Sequence, residues 1–243
     1  IRTGDVNEAI ACAEAGIRTI YCEKPIATRI DDADGMVEAC KQSDSLLVLN
    51  HQRRFNTNCR KLRDYVAAGE LGELTSANLQ WENGRLGNVG THMIDGLIML
   101  TGRKVTRVSG HLDLAGKPDC RGEEFADPGG WGLLIMDGNL RVTVDAPDYA
   151  TTPGCITLNG TLGKAETNQT EVTIEKWDGT KEYWEAPPKS PSGMDRAVDE
   201  IVQYLDGSGE FSYDAEEGRL TFEAIVGLHA SHYRNGQFVD LPL

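Results

Sequence analysis

The first residues with reactive side chains form a short cluster, Cys22, Glu23, Lys24 and Pro25, directly after a β-branched and aromatic run. A lysine at a strand end can donate hydrogen bonds to a hydroxyl group, and its charge favours an alkoxide that develops nearby. Pro25 is a candidate for a cis peptide bond that turns the chain beneath a ligand. The alternative is a solvated Lys24 with Glu23 as its surface partner, which the local sequence alone favours because most adjacent opposite charges are exposed.

A second reactive stretch is GRLGNVGTHMIDGLIML, at residues 84–100. Asn88, His92 and Asp95 lie at positions i, i+4 and i+7, so all three are predicted to share one polar face of an apolar helix. A histidine there can accept a proton from a hydroxyl group because its unperturbed pKa lies near neutrality. The alternative is a core histidine with satisfied hydrogen bonds, which would be favoured if His92 stood by itself.

A third stretch, HQRRF at residues 51–55, follows the next apolar run. This position would put Arg53 or Arg54 at the same sheet edge as the first cluster, where a guanidinium can hold a substrate oxygen or carboxylate. An interdomain salt bridge is an equally good interpretation. His229 and His232 form an HxxH pair that no carboxylate or cysteine completes, so the sequence predicts no metal site.

The elements that must position these residues alternate between helix and strand in the first third of the chain. Apolar residues at three- and four-residue spacing predict helices, and continuous apolar or β-branched runs predict buried parallel strands. The helical stretches are VNEAIACAEA (6–15), IDDADGMVEACKQ (30–42) and NTNCRKLRDYVAAGELG (56–72), and the strand-like runs are IRTIYC (17–22) and LLVLN (46–50). This alternation predicts a doubly wound parallel sheet, which binds ligands at the carboxyl ends of its strands.

The composition changes after Gly72. Most of the following stretches are short strand candidates of antiparallel character, separated by Gly, Asp, Asn or Pro turns, with the helical stretch GTHMIDGLIMLTG among them. Two stretches near the end of the chain show helical spacing and predict two closing helices. We therefore predict two domains, a doubly wound α/β domain at residues 1–72 and an α+β domain at residues 73–243.

The charge and cysteine content limit the classes of partner. The formal net charge is −14, from 38 acidic and 24 basic residues, and this charge repels nucleic acid and anionic membrane surfaces. The sequence contains no apolar run long enough to cross a membrane, and its six cysteines form no CxxC pair. We expect a small-molecule ligand and a reducing, cytoplasmic location.

The three stretches together carry a resemblance to a known family. With CEKP after one strand, HQRRF after the next and NxGTHxxD opening a later helix, the sequence resembles the glucose-fructose oxidoreductase, inositol dehydrogenase and rhizopine-catabolism family. The closing stretch SYDAEEGRLTFEAIVGLHASHYRNGQFVDLPL also resembles the family's last helix and short apolar tail. The resemblance therefore covers nearly the whole chain.

The resemblance implies a fold, a reaction and roles for residues. The fold is an N-terminal Rossmann domain and a C-terminal domain whose open, largely antiparallel sheet often forms the oligomer interface, which implies a homo-oligomer, either a dimer or a tetramer. The last helix is a candidate for packing back on the first domain. The cofactor is NAD or NADP, and the substrate is a sugar, cyclitol or related polyol. The family's lysine falls on Lys24, which would orient the substrate, and its histidine falls on His92 as general base, while Glu23 and Pro25 complete the motif beside the nicotinamide.

The sequence departs from the family pattern at two points. The family commonly has aspartate where this sequence has Asn88, and an amide can position a hydroxyl group but cannot accept its proton at neutral pH. The sequence also lacks any GxGxxG turn, so the family's first strand, its glycine turn and the following helix are expected to precede Ile1. The second departure predicts a Rossmann domain that lacks its first elements.

The leading hypothesis is hydride transfer between C4 of NAD or NADP and a carbinol carbon. In this hypothesis His92 removes the hydroxyl proton and Lys24 holds the hydroxyl group. The remaining substrate oxygens are assigned to Asn88 and to the arginines Arg53, Arg54 and Arg85. The rival hypotheses are a non-catalytic dinucleotide- or sugar-binding regulator of the same fold and an inactive remnant that binds no dinucleotide.

Overall fold

A computed structural model describes residues 6–114, 126–213 and 215–243. Its α-helices are α1 (Val6–Glu14), α2 (Ile30–Gln42), α3 (Thr57–Ala67), α4 (Thr91–Thr101), α5 (Gly193–Leu205) and α6 (Ala215–Tyr233). Its strands are β1 (Thr19–Cys22), β2 (Leu46–Leu49), β3 (Leu74–Gln80), β4 (Val105–Asp113), β5 (Gly129–Met136), β6 (Leu140–Ala146), β7 (Cys155–Gly160), β8 (Gly163–Thr167), β9 (Val172–Lys176), β10 (Lys181–Trp184) and β11 (Val239–Asp240). Two short 3-10 turns (Gln52–Phe55 and Asp137–Asn139) and one π-helical turn (Leu86–Gly90) complete the described elements.

The smaller sheet is the parallel pair of β1 and β2, with Thr19 opposite Leu46 and Cys22 opposite Leu49. The helix α2 covers it with a face of apolar residues at three- and four-residue spacing, namely Ala33, Met36, Val37 and Cys40. The apolar run of β2 is buried because helices lie over it. The helix–strand alternation predicted from the sequence is therefore present.

The larger sheet has nine strands in the order β10-β9-β8-β7-β3-β6-β5-β4-β11. Every neighbouring pair in it is antiparallel except β3 and β6, which run parallel. In β6, Leu140, Val142 and Val144 point into the core, while Arg141 and Thr143 between them are exposed. This two-residue alternation is typical of a sheet with one covered and one open face. The predicted fold class, a parallel α/β part followed by a largely antiparallel α+β part, is confirmed.

The last helix, α6, packs against both sheets. A Cβ atom at Gly218 would overlap Leu49 Cδ1 of the smaller sheet, and a Cβ atom at Gly227 would meet Val108 Cγ2 of the larger sheet at 2.8 Å. Glycine at both positions lets the helix backbone approach the strands closely. Leu62 of α3 belongs to the core under the larger sheet, and the domain boundary at Gly72 stays a prediction.

No helix in the three described ranges is both long enough and apolar enough to cross a membrane.

Candidate active site

Lys24 lies just beyond the carboxyl end of β1, half-buried, on a cis peptide bond to Pro25. Its Nζ donates hydrogen bonds to the backbone oxygen of Asn88 at 2.7 Å and to Asn88 Oδ1 at 2.6 Å. The structure thus brings together two predicted site residues that are 64 positions apart in the sequence. This contact joins the edge of the smaller sheet to the turn that precedes α4.

Asn88 lies in the π-helical turn from Leu86 to Gly90, and α4 begins only at Thr91. The prediction that Asn88 shares an α-helical face with Asp95 is therefore wrong. The wider π-helical turn presents Asn88 to Lys24, whereas the buried Asp95 contacts Arg54.

Asp127 holds this turn in place, a role that the sequence analysis did not predict. Its carboxylate accepts hydrogen bonds from the backbone amides of Gly87, at 2.6 Å, and Asn88, at 2.8 Å. A carboxylate that binds two amides at a helix start satisfies donors that have no partner within the helix. Asp127 follows Asn88 by 39 residues, and no local pattern links the two.

His92 lies in the first turn of α4, half-buried, with its ring 5.6 Å from the ring of His51 in an edge-to-face arrangement. Burial, the nearby charges of Arg53 and Lys24, and His51 together lower the pKa of His92 from 6.5 to about 2. The imidazole is therefore neutral at physiological pH, which is the form that accepts a proton. The charges of Lys24 and Arg53 both act on the His92 ring, so these three side chains lie close together.

The two adjacent arginines have different surroundings. Arg54 is buried, and its Nε donates to both carboxylate oxygens of Asp95, at 2.8 and 2.9 Å, while its Nη1 lies 2.6 Å from Glu217. This geometry matches the salt-bridge interpretation of the HQRRF stretch. Arg53 instead directs Nη1 to the sulfur of Met93 at 3.4 Å.

Glu23 and Arg85 are two further predicted site residues. Glu23 is exposed and accepts a hydrogen bond from Asn50 Nδ2 at 2.8 Å, and Asn50 Oδ1 accepts one from Tyr21 at 2.9 Å. Arg85 is half-buried and has a left-handed backbone conformation, with φ of 64°, where the chain enters the π-helical turn. His51, in the HQRRF stretch, is a second residue, after Asp127, that the structure adds to the site, since its buried ring contacts His92.

A groove of about 550 Å³ lies elsewhere, beside α2 and β2, and is lined among others by Val37, Leu47, Phe211 and Tyr213. Lys24 and His92 are not among its lining residues. The groove brings together none of the predicted reactive groups. Within the described ranges, no group of three or more His, Cys, Asp or Glu side chains could hold a metal ion.

The chain shares the fold of solved oxidoreductase structures, at 16% and 18% sequence identity. The inositol dehydrogenase homologue from Azotobacter vinelandii, solved in complex with NADH and myo-inositol, superposes with a TM-score of 0.81 and 16% identity over 97% of this chain and 74% of that chain.

Two curated relatives are similar in sequence. The myo-inositol 2-dehydrogenase of Thermotoga maritima is 39% identical over 64 residues, which cover 26% of this chain and 19% of that enzyme. The D-xylose 1-dehydrogenase (NADP+) of Haloarcula marismortui is 26% identical over 179 residues, which cover 66% of this chain and 49% of that enzyme. The chain thus spans less than half the length of either relative, and no family model matches it. These similarities confirm the resemblance to oxidoreductases of the inositol dehydrogenase type.

Proposed function

We propose that the protein transfers a hydride between the nicotinamide of NAD or NADP and a carbinol carbon of a sugar, cyclitol or related polyol. The observation that carries this proposal is that Lys24, Asn88 and His92, three residues from two parts of the chain, lie close together. The inositol and xylose dehydrogenases among the relatives support the same class of reaction.

In this proposal His92 is the general base. The proton of the substrate hydroxyl passes to Nε2 of the neutral imidazole, since Nδ1 is buried, while the C–H bond electrons leave the same carbon as hydride. The carbinol thereby becomes a carbonyl. Lys24 donates a hydrogen bond to the reacting oxygen and stabilises the negative charge that develops on it, in place of one of its contacts to Asn88.

The residues at the carboxyl end of β1 fit the nicotinamide end of the cofactor. Pro25 is apolar and buried, and the exposed Glu23 and the amine of Lys24 offer polar groups at the sheet edge where such ligands bind. When bound, the nicotinamide accepts or supplies the hydride. We therefore assign Glu23, Lys24 and Pro25 to cofactor binding.

Substrate binding is assigned to groups around His92. Arg53 and Arg85 are the arginines proposed to contact substrate oxygens. The predicted substrate contact of Arg54 is not part of this proposal, because Asp95 and Glu217 already bind its guanidinium.

The surface and the cysteines of the protein bear on its assembly, its partners and its location. Trp131 and Leu133 are exposed on the open face of the larger sheet, which supports assembly into a homo-oligomer, a dimer or a tetramer, through that face. The net charge of −14 disfavours nucleic acid and membranes as partners. The cysteines of the described ranges are free thiols, and on this ground we assign the protein to the cytoplasm.

The substitution Lys24→Ala tests the proposal. We expect turnover with NAD or NADP, screened over sugars and polyols by NAD(P)H absorbance, to fall by about 100-fold or more, a much larger loss than that of dinucleotide affinity. The exposed Lys189 supplies the control, since Lys189→Ala removes an equal charge away from the site. Unchanged turnover in Lys24→Ala would contradict the assignment.

The regulator hypothesis is supported by one observation, the amide of Asn88 where the family commonly has a carboxylate. It predicts dinucleotide or sugar binding without turnover of any substrate in the same screen. Calorimetry with NADH separates the dehydrogenase and a dinucleotide-binding regulator from the inactive remnant, which binds no dinucleotide.

A further inference from the structure

Arg53 carries a positive charge that no carboxylate in the described ranges neutralises. Its polar contact is the bond from Nη1 to Met93 Sδ at 3.4 Å, and a thioether sulfur is an uncharged, weak acceptor. Asp95 is the carboxylate whose charge acts on Arg53, but both of its oxygens accept hydrogen bonds from Arg54. The guanidinium of Arg53 therefore lacks a counter-ion of its own.

Two arginines that lie near Arg53 in the sequence have carboxylate partners. Arg54 is bound to Asp95 and Glu217, and Arg60 is bound to Glu200. Arg53 is half-buried, and burial lowers its pKa to about 10, so it stays charged at neutral pH with part of its hydration lost. A partly desolvated charge without a partner of its own is unfavourable in the free protein, and an anionic ligand would relieve that cost.

A second polar group without a partner lies beside Arg53. Gln169 is buried, its Nε2 contacts the same Met93 sulfur at 2.6 Å, and its Oε1 has no hydrogen-bond partner. The backbone of Gln169 has a φ of 75°, a left-handed conformation that a glutamine adopts only at a cost in free energy. Arg53 and Gln169 thus both contact the Met93 sulfur, and neither has a complete set of polar partners in the described ranges.

The pair of Arg53 and Gln169 lies next to His92, the proposed general base. Met93 follows His92 directly in α4, and the charge of Arg53 is, after burial, the largest cause of the lowered pKa of His92. A ligand that contacts Arg53 therefore lies next to the proposed general base. The overall charge of −14 repels anions, so a local cation is what an anionic substrate needs at this point.

We propose that Arg53 binds a carboxylate group of the substrate, so that the protein acts on a sugar acid, an aldonic or uronic acid, rather than on a neutral polyol. This inference rests on the proposed function and narrows its substrate class. The planar fork of a guanidinium matches the two oxygens of a carboxylate, which is the kind of partner that Arg53 lacks within the described ranges.

Calorimetry with matched acids and amides tests the proposal. The probes are D-glucuronate, D-galacturonate and D-gluconate, each compared with its uncharged amide. We expect at least one acid to bind about tenfold or more tightly than its amide, because hydrogen bonds to a charged group are stronger than those to a neutral one. Arg53→Gln removes this preference, Arg53→Lys keeps part of it, and Arg63→Gln, at an exposed arginine of α3, leaves it unchanged.

Several results would overturn the carboxylate subsite. These are equal binding of acid and amide, binding of none of the acids, an acid preference that persists in Arg53→Gln, and a preference for sugar phosphates over sugar acids that depends on Arg53. The comparison of acid with amide uses the unmodified protein, so it decides the matter even if a variant fails to fold.

The same experiments separate this inference from the proposed function. Binding of a sugar acid that depends on Arg53, without reduction of NAD or NADP, refutes hydride transfer and leaves the subsite standing. Turnover of neutral polyols that Arg53→Gln does not change refutes the subsite and leaves hydride transfer standing.

Discussion

The buried pair of Arg54 and Asp95 gives the sharpest prediction for stability. Asp95 has no exposed surface and Arg54 has 5% of its surface exposed. The substitution Asp95→Asn keeps the shape of the side chain but removes its charge. The guanidinium of Arg54 then stays buried with only one carboxylate, that of Glu217, at 2.6 Å.

The size of the effect follows from these contacts. Breaking a buried ion pair on one side destabilises a protein by about 3–5 kcal/mol. Glu217 is partly exposed and retains its contact to Arg54, so we expect the lower end, about 3 kcal/mol. For a chain of this size, that loss corresponds to a decrease in Tm of about 6–12 °C.

Urea unfolding followed by circular dichroism measures the effect. The control is Asp64→Asn, which breaks the exposed pair of Asp64 and Arg63 and should lose less than about 0.5 kcal/mol. The double variant Asp95→Leu with Arg54→Met should recover most of the loss, because it leaves no unpaired buried charge. A loss below about 1 kcal/mol in Asp95→Asn, or no recovery in the double variant, would refute the assignment of Arg54 to a structural ion pair.

Two further predictions concern pH and packing. Because the pKa of His92 is lowered from 6.5 to about 2, the unfolded chain binds a proton there that the folded chain does not. The contribution of His92 is therefore complete above pH 6.5 and declines below it by up to about 1.4 kcal/mol per pH unit, and denaturant unfolding at several pH values should give a shallower slope for His92→Gln. Gly218→Ala should destabilise by about 1–3 kcal/mol, since its Cβ would overlap Leu49, whereas Gly35→Ala should stabilise by about 0.5–1 kcal/mol, since its nearest neighbour is Ile10 Cδ1 at 3.8 Å; equal Tm values for the two variants would contradict this.

Local patterns predicted the elements of this protein well. The continuous apolar run at Leu46–Leu49 and the helical spacing at Ile30–Gln42 each depend on neighbours within a few residues, and both elements form as predicted. The position of Lys24 at the carboxyl end of a parallel strand follows from the same local reading. The π-helical turn did not follow, because the sequence of residues 86–90 fits a normal helical turn as well.

By itself, the sequence determined the alternation of elements, the position of Lys24 beside a strand end, and that His92 lies on an apolar helix. Only the tertiary structure decided which arginine keeps an unpaired charge, that Asp127 holds the turn of Asn88, and that Gln169 lies beside Met93. The physical reason is distance along the chain. Hydrophobic periodicity acts over a few residues, whereas the partners of a buried polar group are set by how elements from distant segments pack, so equally polar neighbours such as Arg53 and Arg54 differ only in the folded molecule.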